Sequence, residues 1–261
     1  MTLIAALPLG INYDIKTILI AGDSRIVDLN EKGRYRNHTD TGQKLFNLAP
    51  NIITGFAGDY ILASKAITEI NKILKKKVAS QPIYSLRIDI VMSRIRVVMK
   101  EVWPEGDKST SFLFAVHDSF DNRRKLYVSH SPEFKMERLS ANNKPYLIGS
   151  DDVTRITFTH HYETYTKKNL PRSKEEFGNH IMMAMGKVLS LEINGIFSCY
   201  CLDYDGNYTI HHGYMPIEEA KWIFDTEGKD GWERKVDQKT ILKTSKLSSE
   251  VLDDLRRGKR K

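Results

Sequence analysis

The sequence predicts an α+β protein, a four-layer αββα sandwich in which two antiparallel sheets pack between helical layers. Two observations carry this. Apolar segments with strand character come in groups, near residues 3–7, 18–25, 42–48 and 51–57, then 111–117 and 125–130, then 146–149 and 196–202. Two pairs of helical patterns separate the groups, so the order runs strands, two helices, strands, two helices, strands, which is expected for sheets covered by helices. At 261 residues the chain suits one unit with a sizeable core. Residues 1–215 are expected to form that domain, and 216–261 a C-terminal extension with a basic end.

Leu3-Ile4-Ala5-Ala6-Leu7 reads as a buried first strand. Ile18 to Ala21 is a second, ending at Gly22-Asp23-Ser24-Arg25 with a carboxylate and a guanidinium. Gly42 to Leu48 places Lys44, Phe46 and Leu48 on one strand face and Leu45 on the other. Asn51 to Asp59 runs a strand into Gly55 and Gly58 and then a helix, where backbone N–H groups can face a ligand.

The first helix is expected over Asp59 to Lys77, with Ile67, Ile70, Ile73 and Leu74 at helical spacing and Lys75-Lys76-Lys77 suited to its C-terminus. Pro82 is expected to start a second helix ending at Pro104, with a stripe of Leu86, Ile90, Val91, Ile95, Val98, Met99 and Val102. Strands follow at Ser111 to His117 and Lys125 to His130. Tyr146 to Gly149 is a strand that meets a third helix at Ser150-Asp151-Asp152, where Ser150 can cap and the acids suit the helix dipole. Ser173-x-x-Glu176 is a capping box for a fourth helix running to about Leu191. Ile196 to Leu202 is a strand whose Cys199 and Cys201 share one side, more in keeping with core than with a disulfide or metal site. A hairpin turn is expected at Asp205-Gly206.

No apolar run is long enough to span a membrane, and the N-terminus lacks a signal-like core, so a cytoplasmic location is expected. The net charge is +7, but residues 239–261 hold eight Lys or Arg against three acids, leaving the body close to neutral. A nucleic-acid-binding surface is therefore not expected. Pro216 to Trp232 carries Ile217, Ala220, Trp222, Ile223 and Phe224, a group suited to packing on a neighbouring subunit. His160-His161 and His211-His212 lack metal-ligand spacing, and Met182, Met183 and Met185 read as core packing, so neither a metal nor a cofactor is expected.

The chemistry points to Thr2. Removal of Met1 would make its hydroxyl the side chain of a free N-terminus, whose amine, with an ordinary pKa of about 7.7 to 8.0, can serve as its base. With Asp23 and Arg25 after the second strand, Lys44 in a Lys-Leu-Phe segment and the Gly55-Phe56-Ala57-Gly58 turn, the chain resembles the proteasome β-subunit family of N-terminal nucleophile hydrolases, including the bacterial HslV-type and Anbu-type peptidases. The match is strong over about residues 2–70 and weaker to about Gly213.

That resemblance implies a threonine peptidase or amidohydrolase working without a cofactor. Thr2 would be the nucleophile. Lys44 would lower the pKa of its hydroxyl and keep the amine neutral, and Asp23 would hold Lys44. The Gly55 N–H would meet the oxyanion, with Ile53 and Ala57 beside an apolar specificity pocket. Ser150 would help proton transfer at the amine, or serve as a cap, or both. Each residue also has an ordinary use: Asp23 in a turn, Lys44 as a snorkelling strand lysine, Gly55 at a bulge. The resemblance further implies a peptide or protein substrate, a homo-oligomeric ring and an ATPase or other activator. The alternative is a catalytically silent ring subunit with a structural or binding role.

Overall fold

In the computed structural model, residues 2–29, 35–39, 42–49, 51–80, 87–103, 110–188, 193, 195–202 and 208–215 are described. Strands β1 (Leu3–Ile11) and β2 (Asp14–Gly22) form an antiparallel hairpin, from Ile4 opposite Gly22 to Ile11 opposite Asp14. Its turn uses Asn12 at φ 53°, a conformation that asparagine tolerates well. A separate two-stranded ribbon follows, β3 (Ile26–Leu29) with β4 (Tyr35–Thr39). Then come β5 (Leu45–Ala49), β6 (Ile52–Ala57), α1 (Tyr60–Ser80) and α2 (Ile88–Val102). β7 (Ser111–Asp118), β8 (Arg123–His130), β9 (Glu137–Leu139) and β10 (Tyr146–Gly149) precede α3 (Asp152–Lys168), α4 (Lys174–Gly186), β11 (Gly195–Leu202) and β12 (Tyr208–Met215).

The chain is thus an α+β protein whose described residues form one large antiparallel sheet of ten strands, the small ribbon and four helices. The large sheet runs β10-β1-β2-β8-β7-β6-β5, with β11 also on β2, β12 on β11 and β9 on β8. A single residue pair, Ile15 opposite Arg124, joins β2 to β8, so that the described strands form one large sheet where two are expected from the sequence.

Three apolar clusters explain the burial. Alternation sends Leu3, Ala5 and Leu7 of β1, with Leu19 and Ala21 of β2, against Phe158 of α3 and Ile181 and Met185 of α4. Phe56, Phe112 and Phe114 pack with Ile67 and Ile70 of α1 and Ile95 and Met99 of α2. Between these, Ile4, Ala6, Ile18 and Ile20 meet Leu45, Ile53, Leu113 and Ala115 with no helix between them. β1 and β2 are therefore buried on both faces, which is why Leu3 to Leu7 is apolar without interruption. Each fully buried Leu, Ile or Phe contributes about 1.5–3 kcal/mol.

Several boundaries differ from expectation. α1 continues to Ser80, past the three lysines. α2 begins at Ile88 and not at Pro82, which lies with Leu86 outside the described residues. Its buried stripe is Ile88, Val91, Met92, Ile95, Val98 and Met99, the closer fit to 3.6 residues per turn, while Ile90 is 48% exposed. At α3 the cap is Asp151, which accepts from Thr154 N at 2.7 Å; Ser150 lies before it. Ser173 caps α4 as its motif requires, accepting from Glu176 N at 3.2 Å, but the helix ends at Gly186, short of Leu191. Cys199 and Cys201 share the buried face toward α4, and Met182 and Met185 are core. The expected turn at Asp205-Gly206 and the whole of 216–261, with its apolar group and basic end, lie outside the described residues. Among the described residues no helix is long and apolar enough to cross a membrane.

Candidate active site at the start of the first strand

Burial of the β2 run Ile18 to Ala21 carries the residues just beyond the strand into the interior, and Asp23 is only 2% exposed. A carboxylate so placed needs several donors. Oδ1 accepts from Leu3 N at 3.1 Å, while Oδ2 accepts from Arg25 N at 3.1 Å and from Lys44 Nζ at 2.9 Å. The Arg25 contact is an Asx-type turn, foreshadowed by Asp-Ser-Arg directly after a strand. Burial pushes the Asp23 carboxyl above its ordinary value of 3.8, against the pull of the Lys44 ammonium and the Leu3 and Arg25 N–H groups.

Lys44 is 3% exposed and stands one residue before β5. Its carbonyl accepts from Phe56 N at 3.2 Å, which pins the main chain to β6. Phe46 and Leu48 pack with the α1 and α2 cluster, whereas the Lys44 ammonium turns to Asp23. The ion pair thus takes the lysine head group to Asp23 just ahead of the strand.

Thr2 is buried, at 8% exposure, immediately ahead of β1. Its carbonyl is pressed against Gly149, at φ 76° opposite Leu3. A Cβ built on Gly149 would lie 1.9 Å from Thr2 O and 2.6 Å from Ala57 Cβ, so only glycine fits there. The next residue, Ser150, has φ 47°, and its buried Oγ has no hydrogen-bond partner among the described residues. A buried hydroxyl left in that state beside a strained backbone marks a site able to take a further polar group.

The structure therefore brings together Thr2, Asp23 and Lys44. One carboxylate holds both the amide following Thr2 and the lysine ammonium. Gly149 and Ser150 close the other side. Gly55 lies inside β6, opposite Leu45 and Leu113, with the space of its absent Cβ filled by Leu45 Cδ2 at 2.7 Å and Ile4 Cγ2 at 2.9 Å. Close approach of core side chains accounts for that glycine, and it is Ala57 of the same strand that reaches Gly149. Met1 lies outside the described residues.

The Leu3 main-chain N–H is the participant that leaves no signature in residue type, and the contact of Gly149 with Thr2 emerges only once the strand opposite is paired. His160 and His161 lie on α3 with ring centroids 5.5 Å apart, and no group of three or more His, Cys, Asp or Glu able to hold a metal occurs among the described residues. The chain matches no protein-family model, and a search of the curated proteins gives no match.

Proposed function

We propose that this chain is a threonine-type N-terminal nucleophile hydrolase of the proteasome β-subunit kind, cleaving peptide or amide bonds through an acyl-enzyme on Thr2. The observation that carries the reading is the fully buried Asp23 carboxylate, bonded at once to Lys44 and to the main chain next to Thr2. In this reading Met1 is removed and the Thr2 amine is free. The hydroxyl attacks the carbonyl carbon and passes its proton to that amine, directly or through one water. The tetrahedral oxyanion collapses as the C–N bond breaks, and the leaving nitrogen takes the proton. Water then attacks the ester, with the amine again as base. The Lys44 charge keeps the amine neutral, Asp23 keeps Lys44 charged, and Ser150 Oγ supplies the hydrogen bond that orients the amine. The resemblance assigns the oxyanion to the Gly55 N–H.

The three clusters support a finer architecture as well: the groups on either side of the Ile15–Arg124 link act as the two inner layers of an αββα sandwich. A homo-oligomeric ring, an ATPase or other activator and a cytoplasmic location belong to the same proposal.

The test is mass spectrometry of the full chain before and after treatment with an epoxyketone or β-lactone probe. Loss of Met1 and a probe adduct mapped to Thr2 are expected, and Thr2→Ala should abolish both labelling and peptide hydrolysis. Retained Met1, or labelling at another residue only, would favour the catalytically silent subunit.

A further inference from the structure

Three residues stand in a row across the strand ends near Thr2: Ala57 opposite Ser111, and Ser111 opposite His130. Directly opposed residues of an antiparallel sheet project from one face. That face is the one carrying the helix-free cluster, to which Ala57, Leu113 and Val128 belong. Leu113 and Val128, two residues further in, are buried, whereas His130 is exposed, so the apolar layer ends in a solvent-reachable polar pair. Ser111 Oγ and His130 Nδ1 are 2.7 Å apart. At the other end of the row Ala57 Cβ abuts Gly149, whose second neighbour is the Thr2 carbonyl. Strand spacing of about 4.8 Å places His130 about 10 Å from Ala57, a span that an extended peptide covers in about three residues.

We propose that Ser111 and His130 form a specificity subsite that holds a carboxylate or carboxamide side chain of the substrate about three residues from the bond cut. This rests on the reading of the Thr2 site as a peptidase. The chemistry follows from the shared proton. If the Ser111 hydroxyl donates to Nδ1, His130 Nε2 carries the remaining imidazole proton; if Nδ1–H donates to Oγ, the hydroxyl hydrogen is left to donate. Either way a donor points away from the pair, to which an oxygen acceptor of the substrate can bond and an aliphatic side chain cannot.

Binding of peptides to the full-length Thr2→Ala chain tests this without requiring turnover. Peptides carrying Glu, Gln or Leu at each position in turn are titrated by fluorescence anisotropy. At one position Glu and Gln are expected to bind about tenfold more tightly than Leu. His130→Ala and Ser111→Ala should each bring that ratio close to one, and Ser111→Thr, which keeps the hydroxyl, should preserve it. Equal affinity for all three peptides at every position, absence of binding, or a preference that survives in both alanine variants overturns the subsite. Loss of the catalytic reading shows separately, as a wild-type chain that binds these peptides with the stated preference and never cleaves them.

Discussion

Lys44 Nζ lies 2.9 Å from Asp23 Oδ2, with the two side chains 2% and 0% exposed. Two charges withdrawn from water in this way cost more to bury than an apolar pair of the same volume, so a contribution to stability alone does not explain them. Asp23 also accepts the amide directly after Thr2, which couples the ammonium to the chain start. That coupling is what the catalytic proposal uses.

Breaking the pair should be expensive. Asp23→Asn and Lys44→Ala each leave a partner without its counter-charge and are expected to destabilise the fold by about 3–5 kcal/mol in urea unfolding. Asp23→Leu combined with Lys44→Met should cost clearly less than the sum of Asp23→Leu alone and Lys44→Met alone, while peptide hydrolysis stays abolished. Additive losses would show that the two side chains do not act as a pair.

The pH response of Asp23 has a definite sign. Its folded-state pKa is raised above the ordinary 3.8 by burial. Between those two values the folded state binds more protons than the unfolded one, so the contribution of Asp23 is fully present below 3.8 and declines as pH rises through the folded pKa. The stability difference between wild type and Asp23→Asn, followed by urea unfolding across the acid range, should shift against the wild type as pH rises from that value. A shift in the wild type's favour would mean that Lys44 outweighs burial.

Ser150 separates function from stability. Its Oγ is buried without a partner among the described residues, so removing it should cost the fold little. Ser150→Ala is expected to stay within about 0.5 kcal/mol of wild type while hydrolysis falls, a role in orienting the Thr2 amine. Ser150→Gly should gain up to about 1 kcal/mol by relieving φ 47°. A large loss of stability in both variants would assign the hydroxyl to the fold.

The glycines give a steric test. Gly149→Ala places a methyl 1.9 Å from Thr2 O at φ 76° and is expected to cost about 2 kcal/mol or more, displacing Thr2. Gly55→Ala keeps its N–H but meets Leu45 and Ile4, for about 1–3 kcal/mol, readable as a lower melting temperature. Because the N–H assigned to the oxyanion is kept, activity per folded molecule is expected to survive in Gly55→Ala, and its loss without a matching loss of stability would mean that the added methyl enters the substrate site.

Sequence periodicity and turn chemistry determined the α+β class, the order of elements, the buried first strand Leu3 to Leu7 and the Ser173 cap, while the family resemblance singled out Asp23 and Lys44, which the fold pairs. These are legible because apolar alternation, caps and charges inside apolar runs are local properties. Tertiary structure alone decided the rest. It moved the α3 cap to Asp151, paired Lys44 with Asp23, put Gly55 against Leu45 and Ile4, and set Ser111 beside His130 on neighbouring strands. Those outcomes depend on register and on which side chains fill a given volume, quantities that exist only once strands distant in the chain are paired.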